Sequence, residues 1–532
     1  MILTKSYSLD SGIALVKENG EIVLAINEER LSRQKLTSKN PILAEELARS
    51  KTKEKIKLIK AGYFNHFGMS EELYYTYYGN NLLSLIPKKE SMLEIARKII
   101  IGLSKIINHN RIEHHLCHAA SAHYTSGKDK TLIITMDAYG DGYSTTVALG
   151  NGRDIKFIAK HKWGETLAQL YARITEYLGF RSHRHEGKIT GLAAYGDSRN
   201  TIKEFRQIVK FENGKVKAKK FLTKGYTKSK MDEFFKGKSR EDVSAGLQRV
   251  CEDTIAEFCE YWLKKTNRKD IVLAGGLFAN VKLNQRIHEL PKVNTIHVFP
   301  HMGDGGLALG AALAKVKPKP TLLKSLYLGP SYTDKQIKTA LDKSKLNYKE
   351  HKNVEKEIAL LLSKGKVIAR FNGGMEYGPR ALGNRSILYQ TTDKTVNDWL
   401  NKHLKRTEFM PFAPATLWEK RHECYKNIKG AEEPAKYMAI TFDCTDKMAK
   451  QSPGVVHIDG TARPQLVKKE DNKSYYNIIK EYHKITGIPS IINTSFNIHE
   501  EPIVMTPNDA IRAFKTSKLD YLAIGSFIVK QN

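Results

Sequence analysis

TLIITMDAYGDGYSTTVALGNGRDIKFIAKH, residues 131–161, begins as an apolar run that ends at Asp137, turns on glycine, and continues as two further runs joined at Gly150-Asn151-Gly152. Short apolar runs bounded by glycine turns predict strands. The start of the chain has the same order, with runs at 2–8, 12–17 and 21–27 set around Asp10 and the turn Glu18-Asn19-Gly20. Two copies of strand, acidic residue, turn and hairpin, each followed by helices, predict a duplicated α/β unit. That architecture puts an aspartate from each half at the mouth of a central cleft. Helices are predicted at 92–107, 165–178 and 242–265, the last from the spacing of Val243, Leu247, Val250, Thr254 and Phe258. Two prolines in Lys315-Val-Lys-Pro-Lys-Pro320 end an Ala-rich helix and predict a linker. The expected division is therefore 1–320 and 321–532, the second part an α+β domain unlike the first.

The 532 residues include 87 Lys plus Arg against 57 Asp plus Glu, a formal net charge of +30. With 41% hydrophobic residues, 37 Gly and 16 Pro, wholesale disorder and collagen-like structure are excluded. No apolar stretch of about 20 residues predicts a membrane helix. The N-terminus shows neither a basic n-region nor a small-residue cleavage site, so secretion is not expected. Five cysteines without a CxxC pair predict reduced thiols and a cytoplasmic location. The charge fits either a polyanionic partner or a lysine-rich solvated surface. Residues 203–240 carry 13 Lys or Arg against 4 Asp or Glu, with Phe205, Phe211, Phe221, Tyr226, Phe234 and Phe235 interleaved. A second stretch, Lys51 to Lys60, precedes Tyr74, Tyr75, Tyr77 and Tyr78. Such segments could hold phosphates and stack bases, or could turn their aromatics to the core.

Five of the 18 histidines, His109, His114, His115, His118 and His123, fall within one short segment. His114 and His118 are four apart in a segment of helical character, so both imidazoles can face one metal ion. An isolated HxxxH is usually a packing accident, but Asp137 ends a strand nearby and Asp304 stands in Gly303-Asp304-Gly305-Gly306 before an Ala-rich helix. His114, His118, Asp137 and Asp304 together suit Fe(II), Mn or Zn. The glycine turns supply a second expectation. Gly140, Asp141, Gly303 and Gly305 follow apolar strands, as do Gly275 and Gly276, which lead to Asn280. Main-chain N–H groups at such turns can approach phosphates, and the Asn280 amide could reach an adenosine.

The strings HHLCHAASA, MDAYGDG, HEGKITGLAAYG, LAGGLFAN and MGDGGLALGAA resemble the first domain of the O-carbamoyltransferases of antibiotic and nodulation-factor biosynthesis. That domain is itself similar to the Kae1-like proteins of the actin-like ATPase superfamily. GGMEYGPRALGNRSIL, KRTEFMPFAPATL, DGTARPQLV and IINTSFNIHEEPIV resemble the family's YrdC-like second domain. The resemblance implies a duplicated actin-like ATPase domain followed by an α+β YrdC-like domain. It also implies that the second domain forms carbamoyl-adenylate from carbamoyl phosphate and ATP, with Mg accompanying the ATP. Arg380, Arg385, Lys405, Arg406 and Arg463 would hold phosphates, and Asn493 and Ser495 the carbamoyl group. In the first domain a hydroxyl would attack the carbamoyl carbon with AMP leaving, using Asp10, Lys188, His114 and Asp137.

Two departures stand out. Many relatives have His before the acidic residue of the first turn, where this chain has Leu9, so proton removal falls to Asp10, another group or metal-assisted ionisation. Some carry Arg where this chain has Met410. The lysine-rich segments make a nucleic acid, concretely 5-hydroxymethylcytosine in DNA, the first expected acceptor. A sugar or natural-product hydroxyl is the second. tRNA threonylcarbamoyl transfer and non-catalytic nucleic-acid binding come after these. The sequence leaves the oligomeric state open between monomer and homodimer.

Overall fold

Two five-stranded sheets of the same topology make up the first part of the molecule. This computed structural model describes residues 1–62, 110–162, 166–218, 228–403, 411–498, 500–517 and 519–531. The first sheet comprises β1 (Ile2–Ser6), β2 (Gly12–Val16), β3 (Ile22–Asn27), β4 (Lys57–Ala61) and β5 (Arg111–Ile112), in the order β3-β2-β1-β4-β5. The second comprises β6 (Lys130–Gly140), β7 (Tyr143–Asn151), β8 (Asp154–Lys162), β11 (Asp270–Ala274) and β12 (Thr295–Val298). Its order, β8-β7-β6-β11-β12, repeats the first strand for strand. In each, an antiparallel hairpin pair lies on one side of the first strand and two parallel strands on the other. The duplicated α/β unit expected from residues 2–27 and 131–161 is thus present. Between β8 and β11 a small hairpin, β9 (Val209–Glu212) and β10 (Lys215–Ala218), is appended.

Two helices fill the space between the sheets, His114–Tyr124 and Leu307–Val316. Both are rich in Ala, and their faces pack with Ala14, Ala25, Val272, Ala274 and Phe299 into one core. Small side chains let the helix axes approach closely. At the closest point a Cβ on Gly310 would strike the Cys117 carbonyl. Gly310→Ala is therefore expected to push the His114–Tyr124 helix aside, costing roughly 1–3 kcal/mol. Because that helix carries His114 and His118, urea unfolding and metal titration of the same variant should both register the change.

The helices predicted at 165–178 and 242–265 are observed as Leu167–Tyr177 and Arg240–Thr266. The predicted helix 92–107 lies outside the described residues. The long helix runs beneath the second sheet, burying Val243, Leu247, Val250, Phe258 and Trp262 against Leu132, Ile134 and Leu273. The described residues of the lysine-rich stretch pack onto this helix, with several aromatics turned inward. Phe205 and Phe235 are fully buried, Phe234 packs on the same core, and Phe211 lies edge-on to Phe258 and Tyr261. Base stacking on Phe205 and Phe235 is excluded by their packing. Phe221, Tyr226, Tyr74, Tyr75, Tyr77 and Tyr78 lie outside the described residues.

After Val316 the chain leaves the helix through Lys317, at φ 50, and runs without regular structure to the capped helix Asp334–Ser344. An eight-stranded mixed sheet follows. Its strands, in chain order, are Tyr348–Glu350, Ile368–Phe371, Arg385–Tyr389, Ala413–Leu417, Gln465–Val467, Ser490–Ser495, Tyr521–Ile524 and Phe527–Lys530. Helices Val354–Ser363 and Lys473–Thr486 cover one face, with Ile358, Leu362, Tyr475 and Ile479 buried together. The second part also packs directly on the first: Asn284 Nδ2 donates to the Ala439 carbonyl at 2.7 Å, and Lys282 pairs with Asp459 at 3.0 Å. No helix among the described residues is long and apolar enough to cross a membrane.

Candidate active site

Glu113 starts the helix that carries the two histidines, its Oε2 accepting the Leu116 N–H at 2.7 Å. One turn of helix separates His114 from His118, so both rings emerge on the same face. Asp137 sits where the β6–β7 ladder is interrupted between Met136 and Gly140, and Asp304 opens a 3-10 turn after β12. These elements gather the four side chains so that one ligand atom of each lies within 4.8 Å of the others. His118 Nε2 is 3.1 Å from Asp137 Oδ2, and His114 Nε2 is 3.6 Å from Asp304 Oδ1. Although His114 Nε2 is buried, it has no hydrogen-bond partner. Two imidazole nitrogens, one of them buried and orphaned, and two carboxylate oxygens fit a divalent transition metal.

The neighbours hold this set in place. Asp141 Oδ2 accepts the His114 main-chain N–H at 2.8 Å, and Ser8 donates its hydroxyl to Asp304 Oδ2 at 2.7 Å. The Gly276 N–H reaches Asp137 Oδ2 at 3.3 Å. His115 faces away and bonds Thr135, while His123 bonds Thr131 and the Gly152 carbonyl, so both serve packing. His109 lies outside the described residues.

Burial alone would lower the His114 pKa, but Asp304 and Asp137 outweigh it and raise it to about 9. Burial likewise opposes charge on Asp137, yet His114 and His118 take its carboxyl well below the usual range. A raised histidine pKa stabilises the metal-free fold fully below the unfolded value of 6.5, and that contribution disappears as pH rises through about 9. Metal binding has the opposite dependence, since His114 must lose its proton to coordinate. Mn(II) affinity measured by calorimetry should tighten by about tenfold per pH unit from 6.5 upward and level off above about 9.

The first-strand turn forms the adjoining corner. Asp10 takes a left-handed φ of 63 and its Oδ1 is buried without a hydrogen-bond partner. Burial, then the Glu29 carboxylate, push its carboxyl well above the ordinary range, with Arg30 opposing. His301, absent from the sequence expectations, lies against it with Nε2 3.6 Å from Asp10 Oδ2. It stands in Pro300-His301-Met302-Gly303-Asp304, so its closeness to a proposed ligand was the available signal. Lys188 is buried in the helix Glu186–Leu192.

The glycine turns pack closely around this cluster. A Cβ on Gly140 would overlap the His114 ring, and Asp141 bonds that residue's backbone, so both shape the histidine position rather than a phosphate cradle. The Asn280 amide caps the helix Val281–His288 through Leu283 and pairs both its ends with Gln248. Gly275 is held at φ 108 where a Cβ would strike the Met136 carbonyl, and Gly276 contacts Asp137. Gly305 abuts His301 and Asp10, whereas a Cβ on Gly303 would meet nothing within 4 Å.

Comparison with known proteins matches residues 2–313 to the carbamoyltransferase N-terminus and residues 359–531 to the carbamoyltransferase C-terminus. The chain belongs to the carbamoyltransferase family. An uncharacterized protein of Methanocaldococcus jannaschii is 36% identical over 79% of this chain and 73% of its own length. Nodulation protein NolNO of Sinorhizobium fredii is 31% identical over 98% of this chain and 79% of its own length. Among solved structures, full-length HypF in its phosphate- and nucleotide-bound form overlaps 59% of this chain and 46% of its own at 13% identity and a TM-score of 0.34.

In this carbamoyltransferase the second candidate site surrounds the segment 372–385. Glu376 is buried and its Oε1 accepts main-chain N–H groups from Leu382, Asn384 and Arg385 at 2.9, 2.9 and 3.1 Å. Arg385 is fully buried, stacks on Phe371, and donates to the carbonyls of Asn372, Gly373 and Asn384. Its Nη donors thus hold this loop, while its buried Nε has no hydrogen-bond partner. Arg370 likewise serves Gly383, Asn384 and Ser474. Asn493 donates to the Ala381 carbonyl at 3.1 Å and to Gln465 at 2.7 Å, leaving its buried Oδ1 without a partner. Arg380 and Ser495 are half-buried beside these strands. Arg463 lines a cavity of about 190 Å³ between the two parts, with Gln248, Glu252 and Lys282 on one wall and His457 and Asp459 on the other. Lys405, Arg406 and Met410 lie outside the described residues.

Proposed function

We propose that this carbamoyltransferase moves the carbamoyl group of carbamoyl phosphate, through carbamoyl-adenylate, to an acceptor hydroxyl. In this reading residues 321–532 form the adenylate, water cleaving carbamoyl phosphate to carbamate and phosphate and the carbamate oxygen then attacking the α-phosphorus of ATP with release of pyrophosphate, and residues 1–320 transfer it. The observation that carries it is the His114–His118–Asp137–Asp304 cluster at the mouth of the duplicated sheets, in a chain whose two parts match the two carbamoyltransferase regions. Arg380, Arg463, Lys405 and Arg406 bind the phosphates of carbamoyl phosphate and ATP. Asn493 and Ser495 hold the carbamoyl group, the unpartnered Asn493 Oδ1 being available to its amide. The cavity lined by Arg463 supports placing the nucleotide between the two parts.

In the transfer step the acceptor hydroxyl gives its proton to Asp10, its oxygen bonds the carbamoyl carbon, and the bond to the adenylate oxygen breaks to release AMP. A divalent ion held by His114, His118, Asp137 and Asp304 would neutralise phosphate charge and polarise the carbamoyl carbonyl. Lys188 faces the same task of offsetting phosphate charge.

A sugar-like or other small-molecule hydroxyl is the better-supported acceptor, because Phe205 and Phe235 of the lysine-rich stretch are buried in the core and its described Phe211 and Phe234 are partly so. The net charge of +30 keeps hydroxymethylcytosine DNA as the second reading. The test is incubation with carbamoyl phosphate, ATP and a panel of sugars, small alcohols and hydroxymethylcytosine DNA. A mass gain of one carbamoyl group on a small hydroxyl supports the first reading, and a gain confined to the DNA nucleoside supports the second. Turnover of ATP to AMP without a carbamoylated product from any acceptor overturns both.

A further inference from the structure

Leu9 supplies no imidazole beside Asp10, yet the fold brings one to the same carboxylate from β12. His301 is only 3% exposed, and its ring stands edge-on to Tyr377 at 4.8 Å. Its proton can be placed from its partners. Asn27 Nδ2 donates to the carbonyls of Asp10, at 3.0 Å, and Gly305, at 3.3 Å. Both partners are acceptors, so the amide nitrogen must face them and Oδ1 must face His301. His301 Nε2 lies 2.9 Å from that Oδ1 and must therefore carry the proton. The same N–H faces Asp10 Oδ2 at 3.6 Å, while Nδ1 is buried without a partner.

The surroundings keep this arrangement. A Cβ on Gly305 would collide with the His301 ring and come within 2.5 Å of Asp10 Oδ2, so glycine there leaves the imidazole and carboxylate facing each other. Tyr377 seals the far side and donates to the Gly305 carbonyl at 2.8 Å, and Arg30 ties the neighbouring Gly378 carbonyl at 2.8 Å. Two residues of the first part and one of the second thus clamp a neutral imidazole against the one carboxylate of this corner whose second oxygen is unpartnered.

We propose that His301, oriented by Asn27, is a positioning residue for carbamoyl transfer, aiming the Asp10 carboxylate at the acceptor hydroxyl. This rests on the reading that Asp10 takes the hydroxyl proton. In the step the acceptor O–H bond breaks, its proton goes to Asp10, its electron pair forms the new O–C bond, and the bond from the carbamoyl carbon to the adenylate oxygen breaks with its pair leaving on AMP. His301 keeps its own proton throughout, donated to Asn27 Oδ1, and this fixes the ring against Asp10 Oδ2 and so fixes where the carboxylate points.

The experiment uses the full chain with carbamoyl phosphate, ATP and molar methanol as the probe alcohol, measuring first-turnover pyrophosphate release and first-turnover methyl carbamate formation. His301→Phe keeps the ring that packs on Tyr377 but removes the N–H, and His301→Gln returns an N–H donor. The phenylalanine variant should lose about 10–100-fold in methyl carbamate formation while pyrophosphate release stays unchanged, and the glutamine variant should recover most of the loss. Equal methyl carbamate from wild type and His301→Phe overturns the inference, as does an equal fall in both products, or failure of His301→Gln to recover while remaining folded. If wild type forms no methyl carbamate, or Asp10→Asn forms as much as wild type, the underlying reading fails instead.

Discussion

Replacing His118 with alanine should strip the chain of its metal and stop carbamoyl transfer while pyrophosphate release continues. His118 is 1% exposed and makes the shortest contact of the cluster, 3.1 Å to Asp137. Removing it leaves one nitrogen and two carboxylates, a set poorer in the ligand that favours a borderline metal over a pure oxygen-ligand ion. Loss of an outer-shell partner already costs about 10–100-fold in affinity or activity, so loss of a ligand should cost more than about 100-fold. Elemental analysis of the purified variant should show metal falling from one ion per chain toward none. The second part holds its own groups, so adenylate formation should be spared. A His118→Ala chain that still carbamoylates at the wild-type rate would remove the cluster from the mechanism.

Glu376→Ala should have the largest effect on the second part. One carboxylate oxygen satisfies three main-chain N–H groups of buried residues 382, 384 and 385. Each donor left without an acceptor costs about 1–3 kcal/mol, so the loss should be roughly 3–6 kcal/mol after partial relaxation. The same loop carries Arg380 and the Ala381 carbonyl that Asn493 grips, so pyrophosphate release should fall with stability. Glu376→Gln keeps an acceptor at Oε1 and changes only the oxygen that has no partner. It should therefore unfold within about 1–2 kcal/mol of wild type. Urea denaturation monitored alongside pyrophosphate release separates the two variants.

The duplicated sheets were readable in the sequence because β1–β3 and β6–β8 are built from adjacent segments, each closed by a short turn whose glycine or asparagine is visible. The four-residue cluster was readable for a related reason. Helical spacing aligns His114 with His118, and Asp137 and Asp304 each end an apolar strand. The packing of Gly140, Asn280 and Arg385 was not legible, because a glycine turn, an amide and a guanidinium each serve structure and ligand alike. Only their neighbours decide: the His114 ring, the Leu283 N–H and the Gly373 carbonyl. His301 escaped notice because its partners Asn27 and Asp10 lie 274 and 291 positions away in the chain, although the first of these contacts is only 2.9 Å long. The inward packing of Phe205 and Phe235 depended on the helix Arg240–Thr266, which the lysine-rich stretch itself does not reveal.

The most direct test of the division of labour is a single-turnover quench of the His118→Ala chain with carbamoyl phosphate and ATP, followed by mass spectrometry of the nucleotides. Carbamoyl-adenylate should accumulate on the protein, with pyrophosphate released and no carbamoylated alcohol formed. Carbamoylated alcohol at the wild-type level, or loss of adenylate together with loss of transfer in a folded chain, would contradict the assignment of the two steps to two sites.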